Sequence, residues 1–228
     1  MALILQIETS TISCSVALSD NGQTLSFKEA AERNIHASSV TLFIEEVMKM
    51  ADKKLTDLDA VAVSRGPGSY TGLRIGVSTA KGLCYGLDVP LISIDTLKAM
   101  ASSKRINSGS GATLYCPMID ARRMEVYSAI YDAQLTNISP VAANIIDEKS
   151  FSSILEKNKI VFFGDGAEKC IAALGSHPNA SFVTDFINSA KDLNGQAHTK
   201  FITQQFEDLA YFEPYYLKDF IANTPKAV

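Results

Sequence analysis

A chain of 228 residues can bury a substantial core, as one domain or as two small lobes, and with 46% hydrophobic and 20% charged residues it has the composition of an ordinary globular protein, not a fibrous or low-complexity one. The formal charge of −4 and a pI near 5.4 lack the basic footprint of a protein that grips RNA unaided. The opening MALILQIETS has no basic residue and meets Glu8 before an export-type apolar core is complete, and no apolar run approaches the ~20 residues of a membrane span, so a cytoplasmic protein is expected.

In chain order, Leu3 to Glu8 reads as a strand and Cys14 to Ser19 as the second arm of a hairpin across a polar turn. Asp20-Asn21-Gly22-Gln23 is a second turn leading to a third strand near Thr24 to Ala31. From His36 to Ala51, Val40, Phe43, Ile44 and Val47 recur at helical spacing, with Glu45, Glu46 and Lys49 largely opposite. The run Val61 to Val63 is a short buried strand that stops at the glycine loop Gly66-Pro67-Gly68. Ser69 and Thr71 are the candidate N-caps of the helix that follows, in which Gly72, Gly76 and Ala80 share one face. Each interior Gly costs about 1 kcal/mol relative to Ala, so that face implies very close packing, within the chain or against another one. Val89 to Ile94 is the next strand, and Asp95 or Thr96 starts a helix running towards Arg105.

Three meandering strands followed by helical crossovers predict a mixed sheet covered by helices, the arrangement of an actin-like or ribonuclease H-like lobe. Asn107 to Gly111 reads as a linker, dividing a first lobe at 1–106 from a smaller one at 112–188. The second lobe offers strands at Ala112 to Asp120, Glu125 to Tyr131, Ile160 to Phe163 and Phe182-Val183, with helices at Ser150 to Lys157 and Ala167 to Leu174. A final helix from Ser189 to about Asp208, weakened by Gly195, is expected to pack back on the first lobe. The fold class is thus α/β with two actin-like lobes, each a mixed sheet under helices.

Candidate chemistry is sparse. The loop Gly66-x-Gly68-x-x-x-Gly72 is one residue too long for the dinucleotide fingerprint and lacks the Lys-Ser/Thr of a P-loop. Thr9, Ser10, Gly66 and Gly68 are the weak phosphate-loop candidates, with a hydrogen-bonded turn the favoured reading of Glu8-Thr9-Ser10-Thr11. Asp120 beside Arg122 and Arg123 fits a local salt bridge better than a site for a partner's acidic group. Gly164-Asp165-Gly166 is read as a strand-to-helix connection. Cys14, Cys84, Cys116 and Cys170 are scattered without a CxxC, which favours four lone buried thiols over a zinc cluster, and His36 reads as a packed or solvent-bonded helix residue.

The string SRGPGSYTGLRIGVSTAKGL resembles the TsaB family, the small partner subunit of the bacterial tRNA threonylcarbamoyladenosine machinery. Asp120-Ala121-Arg122-Arg123-Met124-Glu125-Val126-Tyr127 is similar to that family's second signature, and the likeness runs from Ile4 to Lys218. It implies a noncatalytic scaffold and activator that pairs with the larger paralogue TsaD and the ATPase TsaE, without a cofactor of its own. ATP is then handled by partner subunits and tRNA is reached only through the complex. TsaD has a His-x-x-x-His metal pair after a Val-Pro strand; here Thr96 and Met100 stand at those places, so no metal is expected. The resemblance also implies that the first lobe pairs with itself or with TsaD, through Gly72, Leu73, Gly76, Val77, Ala80 and Leu83 with Val40, Ile44 and Val47 of the preceding helix. A glycoprotease-like metallohydrolase lacks HExxH and GxSxG, and a sugar-kinase-like phosphotransferase would have a degenerate loop at Glu8.

Overall fold

The computed structural model describes residues 2–32, 34–106 and 113–218. The expected linker, Asn107 to Gly111, lies outside the described residues. The first lobe is built from β1 (Leu3–Glu8), β2 (Ser13–Asp20), β3 (Gln23–Ala31), α1 (His36–Met50), β4 (Ala60–Gly66), α2 (Tyr70–Leu87), β5 (Leu91–Asp95) and α3 (Thr96–Ala101). Its strands form one sheet in the order β3-β2-β1-β4-β5. The β1-β2-β3 meander is antiparallel, and the crossovers through α1 and α2 lay β4 and β5 parallel to β1.

Both faces of this sheet are covered, which is why every residue of β1, and every residue of β4 but Arg65, is buried. On one face Leu5, Ile7, Val16, Val61 and Val63 pack against Val40, Ile44 and Val47 of α1 and Val77, Ala80 and Cys84 of α2. The other face is closed by residues far along the chain. Ile4, Ala62, Ile92 and Ile94 pack against Leu193 and Ala197, in a short 3-10 turn and α6 (Asn194–Ile202). The final helix is shorter than the expected span to Asp208, because the chain leaves helical geometry at Thr203 and continues to Lys218 as a non-helical segment that is extended either side of a turn at 208–212.

The second lobe contains β6 (Thr113–Asp120), β7 (Glu125–Tyr131), β8 (Asn137–Ile145), α4 (Ser152–Leu155), β9 (Lys159–Phe163), α5 (Ile171–Leu174) and β10 (Ala180–Val183). The sheet order is β10-β9-β6-β7-β8, with β6-β7-β8 antiparallel and β9 and β10 parallel to β6. Read from β8, it repeats the first lobe's order and strand sense, so the halves share one topology without a visible sequence repeat. The helical layer differs: where the first lobe has long α1 and α2, the second has two single turns. The edge strand β8 has no counterpart in the sequence reading. Between the sheets, α3 contributes Leu97, Met100 and Ala101 to a cluster with Tyr115, Ile119 and Phe163 of the second lobe, and Ala99 to the first lobe's core.

Candidate functional site

A cleft of about 780 Å³ opens between the lobes, and the motifs of both meet there. The first lobe supplies Ser10 and Thr11 from the first hairpin and Gly68, Ser69 and Thr71 from the start of α2. Across it stand Asp120, Arg122, Tyr127 and Asp165, and Tyr216 and Lys218 of the extended segment close one side.

The hairpin is organised by a buried carboxylate. Glu8 is 1% exposed, and its Oε1 accepts from Ser10 N at 2.6 Å, Ser10 Oγ at 2.5 Å and Ser64 Oγ at 3.1 Å. Burial raises the Glu8 pKa above the ordinary carboxylate range, and the three donors offset only part of that cost. This is the hydrogen-bonded turn that its polar sequence suggests. Of the phosphate-loop candidates, Ser10 and Gly68 line the cleft. Thr9 and Gly66 do not line it: Thr9 is fully buried under α2, and Gly66 lies beneath the extended segment.

The loop itself is filled by the chain's own backbone. Gly66 has φ +116°, open to glycine, and a Cβ there would meet the Tyr215 carbonyl oxygen at 2.6 Å. A Cβ on Gly68 would strike the Ser10 carbonyl oxygen. Three donors that might cradle a phosphate are used internally: Gly66 N–H donates to Thr96 Oγ1 at 3.1 Å, Ser69 N–H to Ser10 O at 2.6 Å and Gly72 N–H to Ser69 Oγ at 3.3 Å. Ser69, not Thr71, is the N-cap of α2.

The expected partner stripe turns inward. Gly72, Leu73, Gly76, Val77 and Ala80, with Val40, Ile44 and Val47, are all buried in the first lobe's own core, and Leu83 packs against it half-buried. The two glycines are needed because a Cβ on Gly72 would collide with the Thr9 carbonyl oxygen, and one on Gly76 with the Thr9 hydroxyl. The outward face of α2 carries Arg74, Ser78, Gly82, Tyr85 and Gly86 instead, and around Gly82 and Gly86 a Cβ would meet nothing within 4 Å.

Other motifs resolve as structure. Asp120 pairs with Lys169 and accepts from the Arg122 backbone N–H at 2.9 Å, so the expected salt bridge to the arginines is replaced by a turn in which Arg122 and Arg123 take positive φ and stay exposed. Gly164, at φ +103°, lets β9 pass close to Met118, and Asp165 accepts from Asp120 N–H at 3.0 Å. Desolvation and the neighbouring Asp120 charge raise the Asp165 pKa. Thr96 and Met100 are core residues, 0% and 2% exposed. Among the described residues no His, Cys, Asp and Glu cluster could hold a metal ion. His36 is packed, its Nε2 3.2 Å from Ser13 O. All four thiols are buried and unpaired, with burial pushing Cys14 and Cys84 up to about 11.

The sequence reading missed the role of the extended C-terminal segment. Glu207 bridges Leu91 of the sheet edge and bonds the Ser93 hydroxyl, and Phe212 is buried beside α2. Tyr215 N–H donates to Arg65 O at 2.7 Å, and the Tyr216 ring lies 4.8 Å from that of Tyr70. Only the tyrosine-rich string there hinted at it, since a segment without periodicity carries no pattern to read.

Comparison with known proteins agrees with this geometry. The family model described as TsaD, tRNA N6-adenosine threonylcarbamoyltransferase, matches residues 28–226. The tRNA threonylcarbamoyladenosine biosynthesis protein TsaB of Escherichia coli strain K12 is 40% identical over 128 residues, 56% of this chain and 54% of that protein. The chain therefore spans about half the length of that relative in the match. TsaB of Bacillus subtilis strain 168 is 30% identical over 162 residues, 70% of this chain and 69% of the relative. Among solved structures, YeaZ from Pseudomonas aeruginosa superposes with a TM-score of 0.80 at 24% identity, over 95% of this chain and 100% of that one. An activator of 2-hydroxyisocaproyl-CoA dehydratase from Clostridium difficile, with bound ADPNP, shares the two-lobed fold at a TM-score of 0.53 and 9% identity, over 90% of this chain and 98% of that one. With its glycine loop, its hairpin signature and its tyrosine-bearing C-terminal segment all in the one two-lobed frame, the chain belongs to the TsaB family, within the wider group that the threonylcarbamoyltransferase model describes.

Proposed function

We propose that the chain is a noncatalytic scaffold and activator, required with TsaD and TsaE for transfer of a threonylcarbamoyl group to the tRNA adenosine beside the anticodon. The observation that carries this reading is the state of the glycine loop. Three of its amide donors, those of Gly66, Ser69 and Gly72, are engaged by Thr96, Ser10 and Ser69, and the spaces over Gly66 and Gly68 are taken by carbonyl oxygens, which repel phosphate. A kinase-like phosphotransferase needs those donors free. Hydrolysis by a TsaD-like metal pair is disfavoured by Thr96 and Met100, which are packed in the core and offer no imidazole.

In this reading nucleotide chemistry resides in the partner subunits, tRNA is met only in the complex, and four unpaired buried thiols suit a reducing cytoplasm. No helix among the described residues is long and apolar enough to cross a membrane. The first lobe pairs with TsaD, or with a second copy in its absence, through the outward faces of α1 and α2. Leu42 and Tyr85 are 56% and 85% exposed there, and Gly82 and Gly86 leave room for a helix backbone to approach. The test is reconstitution of tRNA modification from purified TsaD, TsaE, tRNA and threonylcarbamoyl donor, with and without this chain. Modification should appear only when all proteins are present. Full modification without this chain, or modification by this chain alone, would overturn the proposal.

A further inference from the structure

We propose that the segment 205–218 is a latch that couples the outward face of α2 to the cleft between the lobes. The inference rests on the assignment of that face to a partner, and adds to it a way for docking to reach the cleft.

The segment has no helix and only one ladder contact, Glu207 to Leu91, yet it is pinned at successive points along the first lobe. Lys81 of α2 donates to the carbonyl oxygens of Ala210 at 3.3 Å and Phe212 at 3.1 Å. Tyr215 is fixed by main-chain contact with Arg65 and Gly66 at the glycine loop. Next, Tyr216 enters a three-part clasp: its ring lies 4.8 Å from the Tyr70 ring, its hydroxyl accepts from Arg74 Nε at 3.3 Å, and the Arg74 guanidinium sits 4.2 Å over Tyr70. Two residues on, the chain has crossed to the other lobe, where Lys218 Nζ pairs with Glu125 Oε2 at 2.6 Å at the start of β7.

Two features make this a coupling device as well as a tether. Arg74, Ser78 and Gly82 are four residues apart in turn and lie on one outward stripe of α2. A helix docked on that stripe therefore meets the clasp residue itself. Tyr216 and Lys218 also line the interlobe cleft, with Tyr70 of the clasp. Any rearrangement of Arg74 is thus handed through Tyr216 to the one ion pair, among the described residues, that joins this segment to the second lobe. Both partners of that pair are partly exposed, so its loss should change the ratio of open to closed forms by up to about fivefold. The latch biases an equilibrium and does not lock it.

The test uses the full chain with nitroxide labels on cysteines introduced at Gln23 at the start of β3, away from the docking faces of α1 and α2, and at Glu148 in the second lobe, both exposed, while the native thiols are buried. Pulsed electron spin distance measurement should show Lys218→Ala shifting weight to longer separations, and the charge swap Lys218→Glu with Glu125→Lys returning it. Tyr216→Ala should shift the free chain likewise and diminish the change that added TsaD causes in the wild type. Identical distributions in wild type, Lys218→Ala and Tyr216→Ala would overturn the latch, as would a swap that fails to restore. If wild-type chain does not bind TsaD at all, the partner assignment fails, whereas the response of the free chain to Lys218→Ala still reads the tether separately.

Discussion

A methyl group added at Gly76 would collide with the hydroxyl of Thr9, a group that is fully buried and has no hydrogen-bond partner among the described residues. Gly76→Ala should therefore destabilise the chain by about 1–3 kcal/mol, overpacking outweighing the gain in helix propensity. Thr9→Ala removes the obstructing oxygen and leaves a Cβ at 3.4 Å, so the double variant should recover most of the loss. Gly72→Ala should not be rescued, because its obstacle is the Thr9 backbone carbonyl. Urea unfolding of the four proteins measures the coupling, and additive effects of Gly76→Ala and Thr9→Ala would contradict it.

The outward glycines of α2 should behave in the opposite way. Gly82→Ala meets open space and should stabilise the isolated chain by up to about 1 kcal/mol. Gly82→Leu should keep the fold while weakening association with TsaD at least about tenfold, read by titration calorimetry, which corresponds to roughly 1.4 kcal/mol. Unchanged affinity would remove this stripe from the interface.

The C-cap of α2 is Asp88, held at φ 56° and carrying negative charge at the helix's negative end. Asp88→Gly relieves both faults and should raise the unfolding free energy by about 0.5–1 kcal/mol. A lowered melting temperature would show that Asp88 makes a compensating contact.

Glu8 binds its proton more tightly folded than unfolded, because burial raises its pKa. Between the ordinary unfolded value, about 4.3, and the raised folded value, the native chain holds the extra proton. Stability from this group is full at low pH and declines as pH rises through that window, with a limiting slope of about 1.4 kcal/mol per pH unit. Glu8→Gln keeps an oxygen to accept from Ser10 and Ser64 and abolishes the titration. Its stability relative to wild type should therefore grow with pH across the same window. Parallel stability curves for the two proteins would mean that Glu8 does not titrate there.

The buried thiols should be inert. Cys14 and Cys84 are pushed to about 11, and burial raises Cys116 and Cys170 as well. Ellman's reagent should find almost none of the 4 cysteines in native protein and all of them after denaturation. Rapid native reaction of even one would place it nearer the surface.

Much of this architecture was legible because periodicity and turn chemistry speak locally. The alternation across Leu3 to Glu8, the apolar run Val61 to Val63, the spacing of Val40, Ile44 and Val47 and the Asn21-Gly22 turn each declare their element. Asn137–Ile145 does not. It is an edge strand of half-exposed residues with Pro140 inside it, so neither alternation nor an apolar run appears. The α2 glycines were legible as close-packing residues but not by direction. Gly72 and Gly76 share a face, and Gly82, ten residues on from Gly72, is rotated by roughly 280° from it. Sequence gives the angle between the stripes, and only the position of Thr9 tells which one faces home. The glycine loop was ambiguous for a related reason, since the groups that fill it come from Ser10 and Tyr215, on opposite flanks of the chain.

The closure of the first sheet by Leu193 and Ala197 has a consequence for how the protein is made. On the ribosome, Ile4, Ala62, Ile92 and Ile94 emerge long before the residues that cover them, and the whole second lobe is synthesised in between. The nascent first lobe must therefore wait with one greasy face bare, a natural client for a chaperone, until α6 arrives as its missing lid. Chains released early, anywhere before Asn194, would keep that face uncovered and should be found in the pellet or cleared by proteases, not accumulating as half-proteins.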